Sequence, residues 1–187
     1  MRLFLAVELP GSLLDELETS LAPLRDEAPD LAWVSPAKRH LTLKFLGDVD
    51  PGRVPSLVEM AERLASRRAL FAIHLREIGA FPNFRRARVV WIGVDHEARL
   101  ELLQHDVEVA AEQAGFELDG RPFRPHVTLA RVRTTLPVER AKGLRKAAKR
   151  VSFTATLGVE AITLFESVMA AGSTPYRRLH VAQLGGR

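Results

Sequence analysis

The sequence predicts an α+β fold of two similar lobes, each a small sheet with helices on one side, related by an approximate two-fold. Three observations carry this. The stretch His40-Leu41-Thr42-Leu43 returns as His126-Val127-Thr128-Leu129, so that each copy reads His, apolar, Thr, apolar. The predicted elements around each copy follow one order: strand, helix, His-x-Thr strand, helix, strand, strand. Between the halves there is no linker or low-complexity stretch, and no tandem repeat of short units. The expectation is one domain over residues 1–187, with each lobe supplying one His-x-Thr motif.

Leu3, Leu5, Val7 and Leu9 alternate with Arg2, Phe4, Ala6 and Glu8, which predicts the first strand. Ser12 can cap a helix, with Asp15 as an acidic variant of the capping box, and Leu14, Leu17, Leu21 and Leu24 follow at helical spacing. Pro23 should kink or end that helix. Leu31 to Val34 reads as a short extended piece, and Ser35 to Lys38 as a turn into the first His-x-Thr strand, His40 to Leu46. Gly47 closes it. Asp50 can cap a second helix whose stripe is Val54, Leu57, Val58, Ala61, Leu64 and Ala65. Strands follow at Leu70 to Leu75 and Ile78 to Phe81, then a loop at Pro82 to Arg86 and an apolar strand at Arg88 to Val94. Asp95 can cap a long helix ending near Gly115. The loop Leu118 to Pro125 leads to the second motif, then come a helix over Val138 to Lys149 and strands at Val151–Leu157, Ala161–Glu166 and Arg178–Leu184. Phe71–Leu75 matches Phe153–Leu157 in place, and Ile78-Gly79-Ala80-Phe81 matches Ile162-Thr163-Leu164-Phe165.

Composition narrows the chemistry. With 47% hydrophobic and 27% charged residues the chain reads as soluble and globular. It has no cysteine, which excludes disulfides, thiolate chemistry and Cys-based zinc sites. The apolar opening Met1 to Val7 is too short for a signal peptide, no run approaches a membrane span, and the expected location is the cytoplasm. The formal net charge of +4 is carried mostly by arginine, which suits a phosphate-bearing partner but equally a solvated surface.

Successive side chains on a strand point to opposite faces, so His40, Thr42, His126 and Thr128 would share one face and Leu41, Leu43, Val127 and Leu129 the core. A core requirement does not call for a His-Thr pair twice. Two imidazoles, each with a neighbouring hydroxyl, suit metal-free phosphoryl transfer. His at i with Thr at i+2 is not a zinc spacing, and neither motif contains a carboxylate or third His. No Gly-x-Ser-x-Gly elbow and no phosphate-binding Gly-rich loop with Lys appears. His74, His96, His105 and His180 lack such context and receive no role.

At these motifs the chain resembles the two-histidine (2H) phosphoesterases, and within them the LigT-like RNA 2′,3′-cyclic phosphodiesterases. The resemblance rests on Met1-Arg2-Leu3-Phe4-Leu5-Ala6-Val7, His40-Leu41-Thr42-Leu43-Lys44-Phe45-Leu46-Gly47, Arg88-Val89-Val90-Trp91-Ile92-Gly93-Val94 and Phe123-Arg124-Pro125-His126-Val127-Thr128-Leu129-Ala130-Arg131, and spans nearly the whole chain. It implies a bilobal α+β structure with antiparallel-rich sheets, helices on the outer side and both motifs lining a central cleft. The implied reaction is hydrolysis of an RNA 2′,3′-cyclic phosphate to a 2′-phosphate without metal or cofactor. By resemblance His126 is the base that activates water, His40 the acid that protonates the leaving 3′-oxygen, and Thr42 and Thr128 donate to the non-bridging oxygens.

Arg131 matches a family position that binds phosphate. Strict alternation puts it on the face opposite His126, so a bulge or the strand's end must turn it inward. Phe45 has the same parity and is read as core. The expected partner of a monomeric enzyme is RNA with a 2′,3′-cyclic end, tRNA fragments and cyclic nucleotides included, and no membrane. Alternative readings are a 2′–5′ RNA ligase acting on tRNA halves and an RNA-end binding protein with weak activity. Arg85-Arg86-Ala87-Arg88 and Arg140 to Arg150 are candidates for RNA backbone contact, the second reading more simply as solvated surface.

Overall fold

The computed structural model describes residues 1–168 and 176–185. Its strands are β1 (Arg2–Glu8), β2 (Ala32–Trp33), β3 (His40–Asp48), β4 (Phe71–Phe81), β5 (Val89–Val94), β6 (His126–Arg131), β7 (Thr154–Val159), β8 (Ala161–Ser167) and β9 (Tyr176–Gln183). The helices are α1 (Gly11–Ser20), α2 (Ala22–Glu27), α3 (Val54–Ser66), α4 (Ala98–Gln113) and α5 (Val138–Arg150). The strands form one antiparallel sheet in the order β7-β4-β5-β6-β3-β1-β8-β9, with the short β2 beside β6. That order is symmetric about the β6/β3 seam, where the expected two-fold lies. The ladder across the seam is the single pair Leu41↔Val127.

The lobes are not sequential halves. β4, from the first half, pairs with β5; β8, from the second, pairs with β1. The first half thus hands its late strand β4 to the opposite lobe, and the second half hands over the hairpin β8–β9. The helices cover one face of the sheet. Leu17, Leu57, Leu100, Leu103 and Leu144 join Leu41, Leu43, Val127 and Leu129 in one continuous buried core. The opposite face carries both motifs.

Several local expectations are corrected. The first helix starts behind Pro10 and no side chain caps it, so Ser12 lies inside its first turn. The chain breaks at Leu21 and restarts as α2, with Pro23 in the first turn, where its missing N–H costs no helical bond. Asp95 does not cap α4. Its N–H still bonds to the His74 carbonyl as an extension of the sheet and its carboxylate pairs with Arg76, so the helix begins later, capped by Glu97. The two strands expected between residues 70 and 81 are one strand bent at Glu77, which takes φ 61°. Phe4 and Ala6 are buried too, but on the face away from the helices, against Phe165 and Tyr176.

Candidate active site

β3 and β6 repeat each other in accessibility as well as in letters. Each begins half-buried, buried, half-buried, then shows two buried residues in succession and one exposed residue. The double step is a β-bulge. Across from β6, Trp91 pairs with Thr128 and Val90 with Ala130, so Leu129 is the extra residue. Across from β3, Ala6 pairs with Thr42 and Leu5 with Lys44, so Leu43 is extra. Both residues of each pair stay on the helix side, and parity resets after them.

The reset brings Arg131 to the histidine face. Its positive charge acts on both His126 and Tyr176, which sit on opposite lobes. The reading of Phe45 as core is overturned for the same reason: it is 61% exposed, with its ring 5.9 Å from Phe4. In the two-fold, Phe45 and Arg131 occupy equivalent positions.

His40, Thr42, His126 and Thr128 lie half-buried on one face about the Leu41↔Val127 pair. Continuing that antiparallel register by one residue sets His40 opposite Thr128 and Thr42 opposite His126. The two histidines are then diagonal, each flanked by the other motif's hydroxyl.

Both rings are held alike. His40 Nδ1 lies 3.0 Å from the Lys38 carbonyl, and His126 Nδ1 lies 2.7 Å from the Arg124 carbonyl. A carbonyl can only accept, so Nδ1 carries the proton in each ring and Nε2 is left for chemistry. Aromatic walls fix the ring planes. Phe4 stacks on His40 at 4.7 Å and Tyr176 meets it edge-on at 5.1 Å; Phe81 meets His126 edge-on at 4.9 Å. Burial lowers both histidine pKa values, that of His40 from 6.5 to about 4 with a further push from His126. The Lys38 and Arg124 carbonyls oppose this only in part.

Two buried cations lie beneath the motifs, and sequence reasoning passed over both. Lys44, 1% exposed, donates to Glu108 at 2.8 Å and to the Glu117 carbonyl at 2.7 Å, with Asp119 at 3.4 Å. It ties β3 to α4 and to the loop that leads to Arg124 and His126. Arg39, 4% exposed, reaches Glu18 of α1 at 2.5 Å and anchors the turn whose carbonyl holds His40. The aromatic walls were also missed, although the matching segments ending at Phe81 and Phe165 carried a signal: these rings occupy equivalent places beside the two histidines. The other histidines sit elsewhere: His74 contacts Thr156, His96 contacts Glu101, His180 contacts Glu62, and His105 is exposed on α4. Among the described residues, no group of three or more His, Cys, Asp or Glu side chains is arranged to hold a metal ion.

A family model described as LigT like Phosphoesterase matches the chain twice, over residues 7–91 and 92–176, one match to each motif. The chain belongs to this LigT-like family. An RNA 2′,3′-cyclic phosphodiesterase of Aeropyrum pernix is 34% identical over 174 residues, covering 86% of this chain and 92% of that protein. One of Thermus thermophilus is 37% identical over 145 residues, or 73% of this chain and 71% of that one. A protein of the same name from Geobacillus stearothermophilus is 38% identical over 128 residues, 68% of this chain but 41% of its own length. Among solved structures, E. coli LigT complexed with 3′-AMP is similar with a TM-score of 0.76 at 30% identity, covering 98% of this chain and 97% of that one. The protein TT0787 of Thermus thermophilus gives a TM-score of 0.77 at 30% identity, covering 100% of this chain and 99% of that one. The LigT-like α+β fold thus extends across both lobes and both motifs.

Proposed function

We propose that this chain hydrolyses 2′,3′-cyclic phosphodiester ends of RNA to 2′-phosphomonoesters, using its paired histidines as base and acid and no metal ion. The observation that carries the reading is the matched pair of rings, each with Nδ1 bonded to a carbonyl and Nε2 without a hydrogen-bond partner among the described residues, diagonal across the seam. The LigT-like relatives named RNA 2′,3′-cyclic phosphodiesterase supply the substrate class.

In-line displacement needs a base on one side of phosphorus and an acid on the other. His126 Nε2 takes a proton from water as the oxygen attacks phosphorus. The bond from phosphorus to the 3′-oxygen breaks, and His40 Nε2–H delivers a proton to that oxygen. The products are a 2′-phosphate and a free 3′-hydroxyl, with the two rings one proton transfer away from their starting states. Thr42 and Thr128 donate to the non-bridging oxygens and Arg131 offsets their charge. Burial keeps His40 neutral in the unloaded cleft, so it must gain its proton as the anionic phosphate arrives between the rings.

A short RNA with a 2′,3′-cyclic end tests this directly. Phosphorus NMR should show a 2′-phosphate product, and the rate should be unchanged by exhaustive chelation. A 3′-phosphate product would reverse the acid and base roles. End joining without hydrolysis would favour the ligase.

A further inference from the structure

Beside the histidine face lies a rim of arginines that have no carboxylate partner among the described residues. Three residues past Phe81, the ring against His126, the chain makes a 3₁₀ turn, Phe84–Arg86, capped by the Asn83 side chain, which accepts from Arg86 N–H at 3.1 Å. Arg88 N–H closes the hairpin on the Phe81 carbonyl at 2.8 Å, and the Arg88 carbonyl accepts from Val132 N–H at 2.9 Å. The next pair, Val89↔Arg131, joins the hairpin to the strand that bears His126. Arg85, Arg86, Arg88, Arg131 and Arg133 are all exposed here. No Asp or Glu occurs from Pro82 to Val94 or from Gly120 to Val138.

α5 packs against this turn. It buries Ala141, Leu144, Ala147 and Ala148. One flank faces α2, because Glu27 lies against Gly143 and Arg140 pairs with Asp30. On the helical wheel Arg145 and Lys149 lie across from that flank, one turn apart. Lys142 pairs with Glu139; among the described residues Arg145, Lys146, Lys149 and Arg150 have no carboxylate partner. The helix dipole accounts for cations in the last turn, Lys149 and Arg150, but not for Arg145 or for the arginines of the 3₁₀ turn.

We propose that this rim is a track for the backbone of single-stranded RNA on the 5′ side of the reacting end, running from Arg131 over Arg88 and the Arg85-Arg86 turn to Arg145 and Lys149. The proposal rests on the RNA-end hydrolase reading and assigns that substrate its direction out of the cleft. Two segments about fifty positions apart in sequence, each unremarkable alone, are brought side by side by the packing of α5 on the turn, adjoining the strand that carries the base.

The test compares a 2′,3′-cyclic mononucleotide with an RNA of about 12 nucleotides carrying the same end. For kcat/KM, the log–log slope against salt should be steeper for the longer RNA by roughly 2–3, since each neutralised phosphate adds about 0.7 for single strands. The double variant Arg85→Glu/Arg86→Glu, and separately Arg145→Glu/Lys149→Glu, should weaken the longer RNA at least about tenfold and flatten its slope, leaving the mononucleotide within about twofold. Equal slopes for the two substrates, or variants that leave the longer RNA unaffected, would overturn the track. Binding of a 2′-phosphate-ended RNA, read by fluorescence anisotropy, keeps the two readings separate. If neither cyclic substrate is hydrolysed, the hydrolase reading fails, and the anisotropy slopes still decide the track.

Discussion

At the scale of single residues, the site is two copies of one device: an imidazole fixed through Nδ1 by the carbonyl two residues before it, braced by aromatic rings. If acid and base act as one unit, His40→Ala and His126→Ala should each lower kcat/KM roughly 10²–10⁴-fold, with the double variant little worse than either. Additive losses in steady-state assays would contradict the pairing. The buried His40 also makes stability depend on pH. Its pKa is about 4 in the fold against an ordinary 6.5, so between these values the unfolded chain binds more protons than the folded one. Its neutral form is accommodated fully above about pH 6.5, and stability falls as pH drops from there towards 4, on the order of 3 kcal/mol. Urea melts over that range should show the loss, and His40→Gln should flatten it. The residues of this device that follow strict strand alternation, His40, Thr42, His126 and Thr128, were legible in the sequence. Alternation misplaced Phe45 as core and set Arg131 on the wrong face, where only the family resemblance argued for it, because each lies just past a bulge that alternation cannot see.

At the scale of elements, what positions the histidines comes from below the sheet. Lys44 follows the first motif directly but serves the second, holding the Glu117 carbonyl in the loop that continues to Arg124. Lys44→Met should cost about 3–5 kcal/mol in urea melts, since it takes the cation from the part-buried Glu108 carboxylate and the donor from the Glu117 carbonyl. The companion Lys44→Met/Glu108→Leu should recover part of that loss. If Lys44 positions the loop, residual activity in both variants should show a lower kcat with a shifted pH profile; an unchanged profile would confine Lys44 to stability. Local signals misled where an element's end depended on its neighbours. Asp95 is a good cap by composition, yet the β4–β5 pairing continues through it and α4 starts only at Ala98, capped by Glu97 once the chain has left the sheet. Pro23 was informative because a missing N–H acts locally whatever surrounds it.

At the scale of the whole molecule, the strand exchange makes the two lobes one machine, since β4 of the first half completes the wall of His126 and β8 of the second half completes that of His40. A reaction run by groups of the chain alone should keep its rate after chelation and dialysis; a loss restored by a divalent ion would point to a metal-dependent route. By itself the sequence determined the duplication, the shared face of the two His-Thr pairs and the α+β class, because the two-residue period of a strand and the order of elements are local properties written in the letters. Tertiary structure alone decided that β4 and β8 cross between lobes, that bulges turn Phe45 and Arg131 to the cleft, and that Phe4, Phe81, Phe165 and Tyr176 wall the histidines. Those outcomes depend on which strands pair and in what register. Register is settled by burial summed over the whole sheet, a quantity that no short stretch of sequence contains.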